Sequence, residues 1–359
     1  MLGSIPTFAP YITSENNPSG TISISSQFAF NPALITSIKA AKSSWEGSAI
    51  NYGKAVEETS VNVRKLYYAI VLQEEVLKIK QETLESQKQR MIQAQYDYRN
   101  GLVPEIYLLQ SQVTYENSKP EVEEAAMTLE SSKRRFAMLL GLDDDQINLT
   151  DSIDQVDVET NEKMLLDGIN RRYDIMALDK QSQTLALQKR ALIEKTVVPS
   201  VVINASYQPT VGNVFKKWNT DSNKISDNGS VSVTVAWTIS EMFPGSSSAG
   251  SYRELDSAIK KLEAGRILSV RNAKTEILNC IDSLEKSRNS VLAAERTINL
   301  AQKSYEMTLE AYRNGNADSL ELKDAQSQLN QAKLGKLSNQ YNYICALIDL
   351  EYASQQKIH

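Results

Sequence analysis

Apolar residues fall at every seventh position along two long stretches of this chain. Ala49, Val56, Val63, Ile70, Leu77, Leu84, Met91 and Tyr98 form one unbroken ladder, and Val270, Ile277, Leu284, Val291, Ile298, Tyr305 and Tyr312 form another, each 214 residues after a position of the first. A strict heptad predicts a left-handed coiled coil, and residues 33–100 as one helix would reach roughly 100 Å at ~1.5 Å per residue. Each ladder is followed by a returning one: Leu108, Tyr115, Val122, Leu129 and Phe136 up to a stop at Gly141, and Leu322, Leu329, Tyr343 and Leu350 near the end. Pro120 lies inside the first return helix and is expected to bend or interrupt it. A further helical pattern runs from about Glu162 to Lys195.

Elsewhere the period is two. Ile22, Ile24, Phe28 and Phe30 alternate with Thr21, Ser23, Ser25, Gln27 and Ala29, which predicts a strand with one apolar and one small, polar face. A partner strand around Ile5 to Thr13 is weakened by Pro6 and Pro10. After Pro199, Val201, Ile203, Ala205 and Tyr207 alternate with polar residues, and Val231, Val233, Val235, Trp237 and Ile239 do so again beyond a polar loop from about Gly212 to Gly229. Asn31-Pro32 suits a helix N-cap followed by proline, and Phe243-Pro244-Gly245 echoes it before the second long helix.

Tyr98-Arg99-Asn100-Gly101 reappears as Tyr312-Arg313-Asn314-Gly315, and the same shift carries Leu108 onto Leu322, Gln112 onto Gln326 and Lys119 onto Lys333. Asn-Gly favours a turn because both residues tolerate positive φ. Each copy therefore reads as the tip of an antiparallel helical hairpin, within an internal duplication. The expected fold is α+β and mostly α, with a unit of strand, strand, long helix, tip and return helix present twice. The first repeat covers 1–141, with a β-hairpin over 1–30 and a helical hairpin over 32–141 whose tip is near 100–104. A connector and a helix fill 142–195. The second repeat covers 196–359, with a β-hairpin over 197–241 and a helical hairpin over 246–354 whose tip is near 313–318.

Composition narrows the function. A net charge of −5 gives no basic footprint for nucleic acid. No stretch approaches 18 apolar residues, which excludes a transmembrane helix and says nothing against a transmembrane barrel. Asp143, Asp144, Asp145, Asp151, Asp154, Asp157, Glu159 and Glu162 cluster without Lys or Arg, but the spacing and central glycine of a calcium loop are missing. A solvated acidic connector is expected there. Cys280 and Cys345 would be out of step on opposite arms of the second hairpin, so no disulfide is expected and both read as small apolar residues. The single His is the last residue, and no nucleophile motif, phosphate loop or carboxylate pair stands out, so neither an enzyme nor a cofactor is implied.

A small neighbouring heptad position, Ala273, Cys280, Ser287, Ala294 and Ala301, would let helices approach closely along the second hairpin. Two β-hairpins per chain leave sheet edges that seek partners. Three chains would supply twelve strands, enough for a barrel with Ile22, Ile24, Phe28, Phe30, Val231, Val233, Val235 and Trp237 toward lipid and the Ser/Thr rows toward a wet lumen. A soluble sheet packed on a core would show the same alternation.

The chain resembles the TolC-like outer-membrane efflux protein family over nearly all its length. Residues 98–112 and 312–326 resemble the family's tip motif, Arg172-Tyr173-Asp174-Ile175-Met176-Ala177 its Arg-Pro-Asp-Leu-x-Ala signature with Tyr173 in place of Pro, and Pro199 to Tyr207 the entry to its third strand. The resemblance implies a homotrimer in outer-membrane lipid, with a twelve-stranded transmembrane barrel continuous with a twelve-helix periplasmic barrel. It implies a passive export duct that docks a periplasmic adaptor (membrane fusion) protein and an inner-membrane pump of RND, ABC or MFS type. Family members begin with a signal peptide and a leading helix that the given sequence lacks, so a trimmed or mis-started N-terminus is expected. A soluble or periplasmic adaptor-like scaffold is the other reading, which predicts a single hairpin or strands polar on both sides.

By the same resemblance, Glu321 and Asp324 stand where the family places lumenal acids near the aperture, with Lys323 beside them. Gly101, Leu102, Val103, Gly315, Asn316 and Ala317 stand where an adaptor hairpin docks. The family's aperture lock pairs an Arg after the second tip glycine with an acid in the first hairpin. Here Ala317 and Tyr107 occupy those places, and closure is expected to rest on helix packing. Tyr98 and Tyr312 read as ladder core.

Overall fold

Asn31 starts the first long helix as its composition suggests: its side-chain Oδ1 accepts the Ala33 N–H at 2.8 Å, and Pro32 follows where no N–H is needed. In this computed structural model, which describes residues 7–11, 19–142, 149–150, 158, 161–211 and 225–358, the order is β1 (Thr7–Tyr11), β2 (Ser19–Phe30), α1 (Pro32–Arg99), α2 (Glu105–Leu140), α3 (Glu162–Asp167), α4 (Tyr173–Val197), β3 (Ser200–Val211), β4 (Ile225–Ala236), α5 (Ser247–Arg313) and α6 (Ser319–Ser354). The long helices α1 and α5 have 68 and 67 residues, and each return helix has 36. Among the described residues, no helix is long and apolar enough to cross a membrane. The acidic residues of the connector from Asp143 to Glu159, the ends of the expected first strand and most of the loop after Gly212 lie outside the described residues.

Four antiparallel strands form one sheet in the order β1-β2-β3-β4, so the two repeats meet where β2 pairs β3. The register sets Phe30, Val201 and Val235 in one cross-strand row and Phe28, Ile203 and Val233 in the next. One residue over, Gln27, Asn204 and Ser232 share a row on the opposite face. Hydroxyls there bond across strands, Ser206 to Ser230 at 2.7 Å and Thr21 to Thr210 at 3.3 Å. The apolar rows are not packed on a core: Phe30 is 66% and Val231 76% exposed. Trp237 lies just past the end of β4 and Ile239 begins a 3₁₀ turn, so the strand is shorter than its alternation implies. The second long helix starts at Ser247, beside the expected 246, after a turn in which Ser246 Oγ accepts the Ala249 N–H.

Contacts divide the chain into two compact units that cut across the repeats: Met1–Asn51 with Met176–Leu268, and Tyr52–Ile175 with Ser269–His359. The division follows from the sheet, which takes strands from both repeats, and from long helices that pass through both units. In the first unit α1 meets α4 through Ala33, Ala40 and Ser43, all buried, and through Gly47, where an added Cβ would touch the Lys180 side chain at 3.7 Å. Ser43 Oγ bonds Thr184, Glu46 bonds Lys180, and Thr36 donates to Glu194. Ala49 and Val56, by contrast, are exposed. The seven-residue ladder is thus a packing seam only in its middle, from Val63 to Met91, while Tyr98 at its far end is 39% exposed. Against α4, a stripe of small residues replaces it because a close helix approach needs small side chains.

The second unit holds the larger core, where Ile277, Leu284 and Val291 of α5 face Tyr343, Leu347 and Leu350 of α6, with Leu165, Ile169 and Ile175 beside them. Ile70, Leu129 and Phe136 close the first hairpin. Every α6 ladder residue predicted from sequence is buried, none above 4%. Gly141 ends α2 at φ 69°, its N–H bonded to Ala137 and Met138. Helix α2 runs through Pro120 without interruption.

The helix expected over 162–195 is broken. Chain after α3 turns through a 3₁₀ segment, Ile169–Arg171, before α4 begins at Tyr173. At Gly168 a Cβ would lie 2.1 Å from the Ser354 carbonyl oxygen, so only glycine permits this approach to the end of α6. Tyr173, at the position of the signature's usual proline, leans on Gly53, where a Cβ would meet its ring at 2.9 Å.

Candidate functional site at the helical tips

The duplicated tetrapeptide builds the same cap twice. In the first, Gly101 N–H bonds the Tyr98 carbonyl at 3.0 Å and Leu102 N–H reaches back to Asp97 at 2.8 Å; in the second, Gly315 bonds Tyr312 at 3.0 Å and Asn316 bonds Ala311 at 2.8 Å. Gly101 and Gly315 have φ of 69° and 72°, whereas neither Asn is left-handed. The Asn-Gly pair is therefore a helix C-cap in which glycine alone carries the positive φ.

Beyond the glycines the two tips differ. Pro104 precedes α2 with no side-chain cap. The equivalent Asp318 forms a capping box, its Oδ1 accepting the Glu321 N–H at 2.7 Å while Glu321 Oε2 accepts the Asp318 N–H at 3.2 Å. Glu321 occupies the place of Tyr107 in the first repeat, so one lumenal acid expected from the family also has a local structural task. The D-x-x-E spacing signals it in the sequence. Asp324 is exposed on the next turn, where negative charge suits the start of a helix. Gly101, Leu102, Gly315 and Asn316 are exposed, Val103 and Ala317 half-buried. Leu102 is 70% exposed, an apolar side chain at a solvated tip.

A polar network that the sequence does not announce ties the hairpins together behind the tips. Arg90 Nη2 of α1 donates to Tyr305 OH of α5 and to Gln326 Oε1 of α6, both at 2.8 Å. Gln326 then donates to Asn330 at 3.2 Å, and Asn330 to Thr83 Oγ1 of α1 at 3.1 Å. Gln110 of α2 accepts from Ser319 at the start of α6 at 3.3 Å. Burial pushes the Tyr312 phenol up, with Asp97 and Tyr107 adding to it. Packing is thus not the only tie between hairpins, and the missing Arg-acid pair has a different polar contact in its neighbourhood. Farther from the tips, Arg172 is buried and bonds both oxygens of Asp174 at 3.2 and 3.0 Å, Glu276 at 2.8 Å and the Ala353 carbonyl at 3.0 Å. Cys280 and Cys345 are free and half-buried, and burial pushes both thiols up.

An exposed apolar sheet face joined to duplicated long helical hairpins defines a membrane-channel class of fold. Residues 169–354 match the family model for outer membrane efflux proteins. Among solved structures, the Vibrio cholerae outer membrane protein VceC aligns at TM-score 0.75 and 16% identity, over 99% of this chain and 86% of that one. The Campylobacter jejuni outer membrane channel CmeC aligns at 0.76 and 15%, over 98% and 76%, and the Neisseria gonorrhoeae outer membrane channel MtrE, in its open state, at 0.74 and 16%, over 99% and 81%. No curated protein matches by sequence. The chain belongs to the outer membrane efflux protein family. It is an outer-membrane protein, and its role is transport rather than catalysis.

Proposed function

We propose that this protein is the passive export duct of a tripartite efflux or type I secretion system, working as a homotrimer with a periplasmic adaptor and an inner-membrane pump. The observation that carries the reading is the four-stranded sheet with one exposed apolar face, found in a chain of this family. A soluble scaffold would bury that face or make it polar. Three copies supply twelve strands and close the edges at β1 and β4, and their hairpins supply twelve helices. Size in detergent tests the assembly directly: a trimer with discrete single-channel conductance is expected, and a conductance-free monomer overturns it.

Within the trimer, Glu321 and Asp324 of three copies would form a ring of carboxylates that favours cations. Because Glu321 also caps α6, Glu321→Gln is the informative change, since glutamine keeps the acceptor and removes the charge. Together with Asp324→Asn it is expected to lower cation selectivity severalfold in planar-bilayer recordings. Arg90→Ala in the same recordings is expected to raise conductance with selectivity unchanged, because it releases α1 from α5 and α6 while leaving the acids in place. Unaltered selectivity in the first variant removes the ring, and unaltered conductance in the second removes the tie.

The exposed Leu102 and the bare glycine turns support the tips as the adaptor's docking points, with Val103, Asn316 and Ala317 at their margins. Gly101→Asp with Gly315→Asp is expected to abolish adaptor crosslinking at the tips while the trimer persists. Crosslinking at wild-type yield in that trimer would place docking elsewhere.

A further inference from the structure

The two repeats leave the sheet differently. In the first, β2 ends at Phe30 and α1 begins at Pro32, with Asn31 alone between them. In the second, β4 ends at Ala236 and α5 begins at Ser247, so residues 237–246 fill the same junction. The first repeat shows that a helix can follow its strand almost directly, so the longer segment needs a reason of its own.

That segment presents apolar groups to its surroundings. Trp237, Ile239, Met242 and Phe243 are all exposed, Phe243 at 64%. Its one charged side chain, Glu241, is spent on the start of α5: Oε2 accepts the Ser248 N–H at 3.1 Å, where negative charge suits a helix N-terminus. The Glu241 carbonyl accepts Ser246 Oγ at 2.7 Å, which closes the turn beneath it. A connection in water would not leave an indole, a phenyl ring and two long alkyl side chains exposed within seven residues.

The surface continues the apolar face of the sheet. Trp237 follows Val235 in the alternation of β4, and Val235 shares a cross-strand row with Val201 and Phe30 at the end of the sheet where the helices join. No described helix is apolar enough to cross a membrane, so a sheet that crosses one meets the membrane surface at this end. Lys195, exposed in the last turn of α4, is near enough to attract the Glu241 carboxylate and so supplies a cation at this level. We propose that residues 237–243 form an interfacial foot on a glycerophospholipid bilayer. Trp237, Ile239, Met242 and Phe243 enter the boundary between headgroups and acyl chains, and Lys195 reaches toward lipid phosphate. The foot rests on the lipid-facing sheet proposed above and extends lipid contact to a segment that does not cross the membrane. In a trimer the feet would fix how deeply the sheet sits.

The test is tryptophan quenching in the full chain, reconstituted into phosphatidylcholine vesicles whose lipids carry bromine high on the acyl chains. The chain has three tryptophans. With Trp45→Phe and Trp218→Phe, Trp237 reports the border of the sheet. With Trp237→Phe and Phe243→Trp added, position 243 reports the foot, and its emission is expected to fall by roughly half, and by less when the bromine sits near the chain ends. Met242→Trp in place of Phe243→Trp is a second reporter with the same expectation. Quenching at Trp237 with none at 242 or 243 overturns the foot and leaves the lipid-facing sheet standing. Blue-shifted but unquenched emission at 243 overturns the foot as well, because a second copy or another protein then covers the segment. No quenching at any of the three positions overturns both.

Discussion

Arg172→Ala is expected to cost about 3 kcal/mol and to lower the melting temperature of the detergent-solubilised protein by roughly 4 °C. The side chain is only 11% exposed and its donors serve Asp174, Glu276 and the Ala353 carbonyl, so its removal leaves acceptors without their partner. The figure is near the low end for a buried ion pair because both carboxylates keep some contact with water, with side chains 36% and 46% exposed. Arg172→Lys should fall between, since an ammonium holds the charge but cannot bond both Asp174 oxygens in a fork. A melting point within two degrees of wild type for the alanine variant would show that the cluster is not a clamp.

The same cluster sets an acid limit. Desolvation works to raise the Asp174 carboxyl, but its bonds and attraction to Arg172 outweigh that and hold it below the ordinary 3.8. A carboxylate held low in the folded state contributes stability that is fully present above its unfolded value. That contribution is lost as pH falls from about 3.8 through the depressed folded value. In Arg172→Ala this acid-dependent part of the melting curve should shrink.

Charging the apolar sheet face is expected to abolish assembly. Phe28→Arg with Val233→Arg places two arginines in one cross-strand row, each costing roughly 2–4 kcal/mol if the row faces the bilayer midplane, and a trimer repeats the cost three times. Gln27→Arg with Ser232→Arg alters the row one residue away on the polar face and should leave the heat-modifiable trimer in the membrane fraction. Equal behaviour of the two variants would mean that the sheet does not face lipid on one side only.

Much of this architecture was legible because its signals are periodic and local. The heptads mark the long helices, and the Asn31 cap, the Gly141 stop and the two glycine tips could each be read from a few neighbouring residues. The alternation in β2, β3 and β4 separated the faces correctly, since a strand's side-chain period is independent of what covers it. Local patterns failed where a distant segment dictates the backbone. The break after α3 exists because Gly168 meets the carbonyl of Ser354, and the swap from ladder to small-residue stripe along α1 exists because α4 lies against it there. The Arg90 network joins residues more than two hundred positions apart, so no spacing rule announces it.

Sequence by itself determined the duplication, the order of the two long helical hairpins, the apolar face of the sheet and the turn chemistry of the tips, all consequences of periodicity and of glycine's φ. Tertiary structure alone decided that β2 pairs with β3 across the repeats, that Glu321 caps α6, and that Arg172 and Arg90 gather partners from remote helices. It also decided which heptad positions are spent inside the chain and which, such as Val113 and Met127 on α2, stay exposed. Those outcomes depend on which surfaces meet in space, and a one-dimensional pattern specifies a face without specifying what comes to cover it.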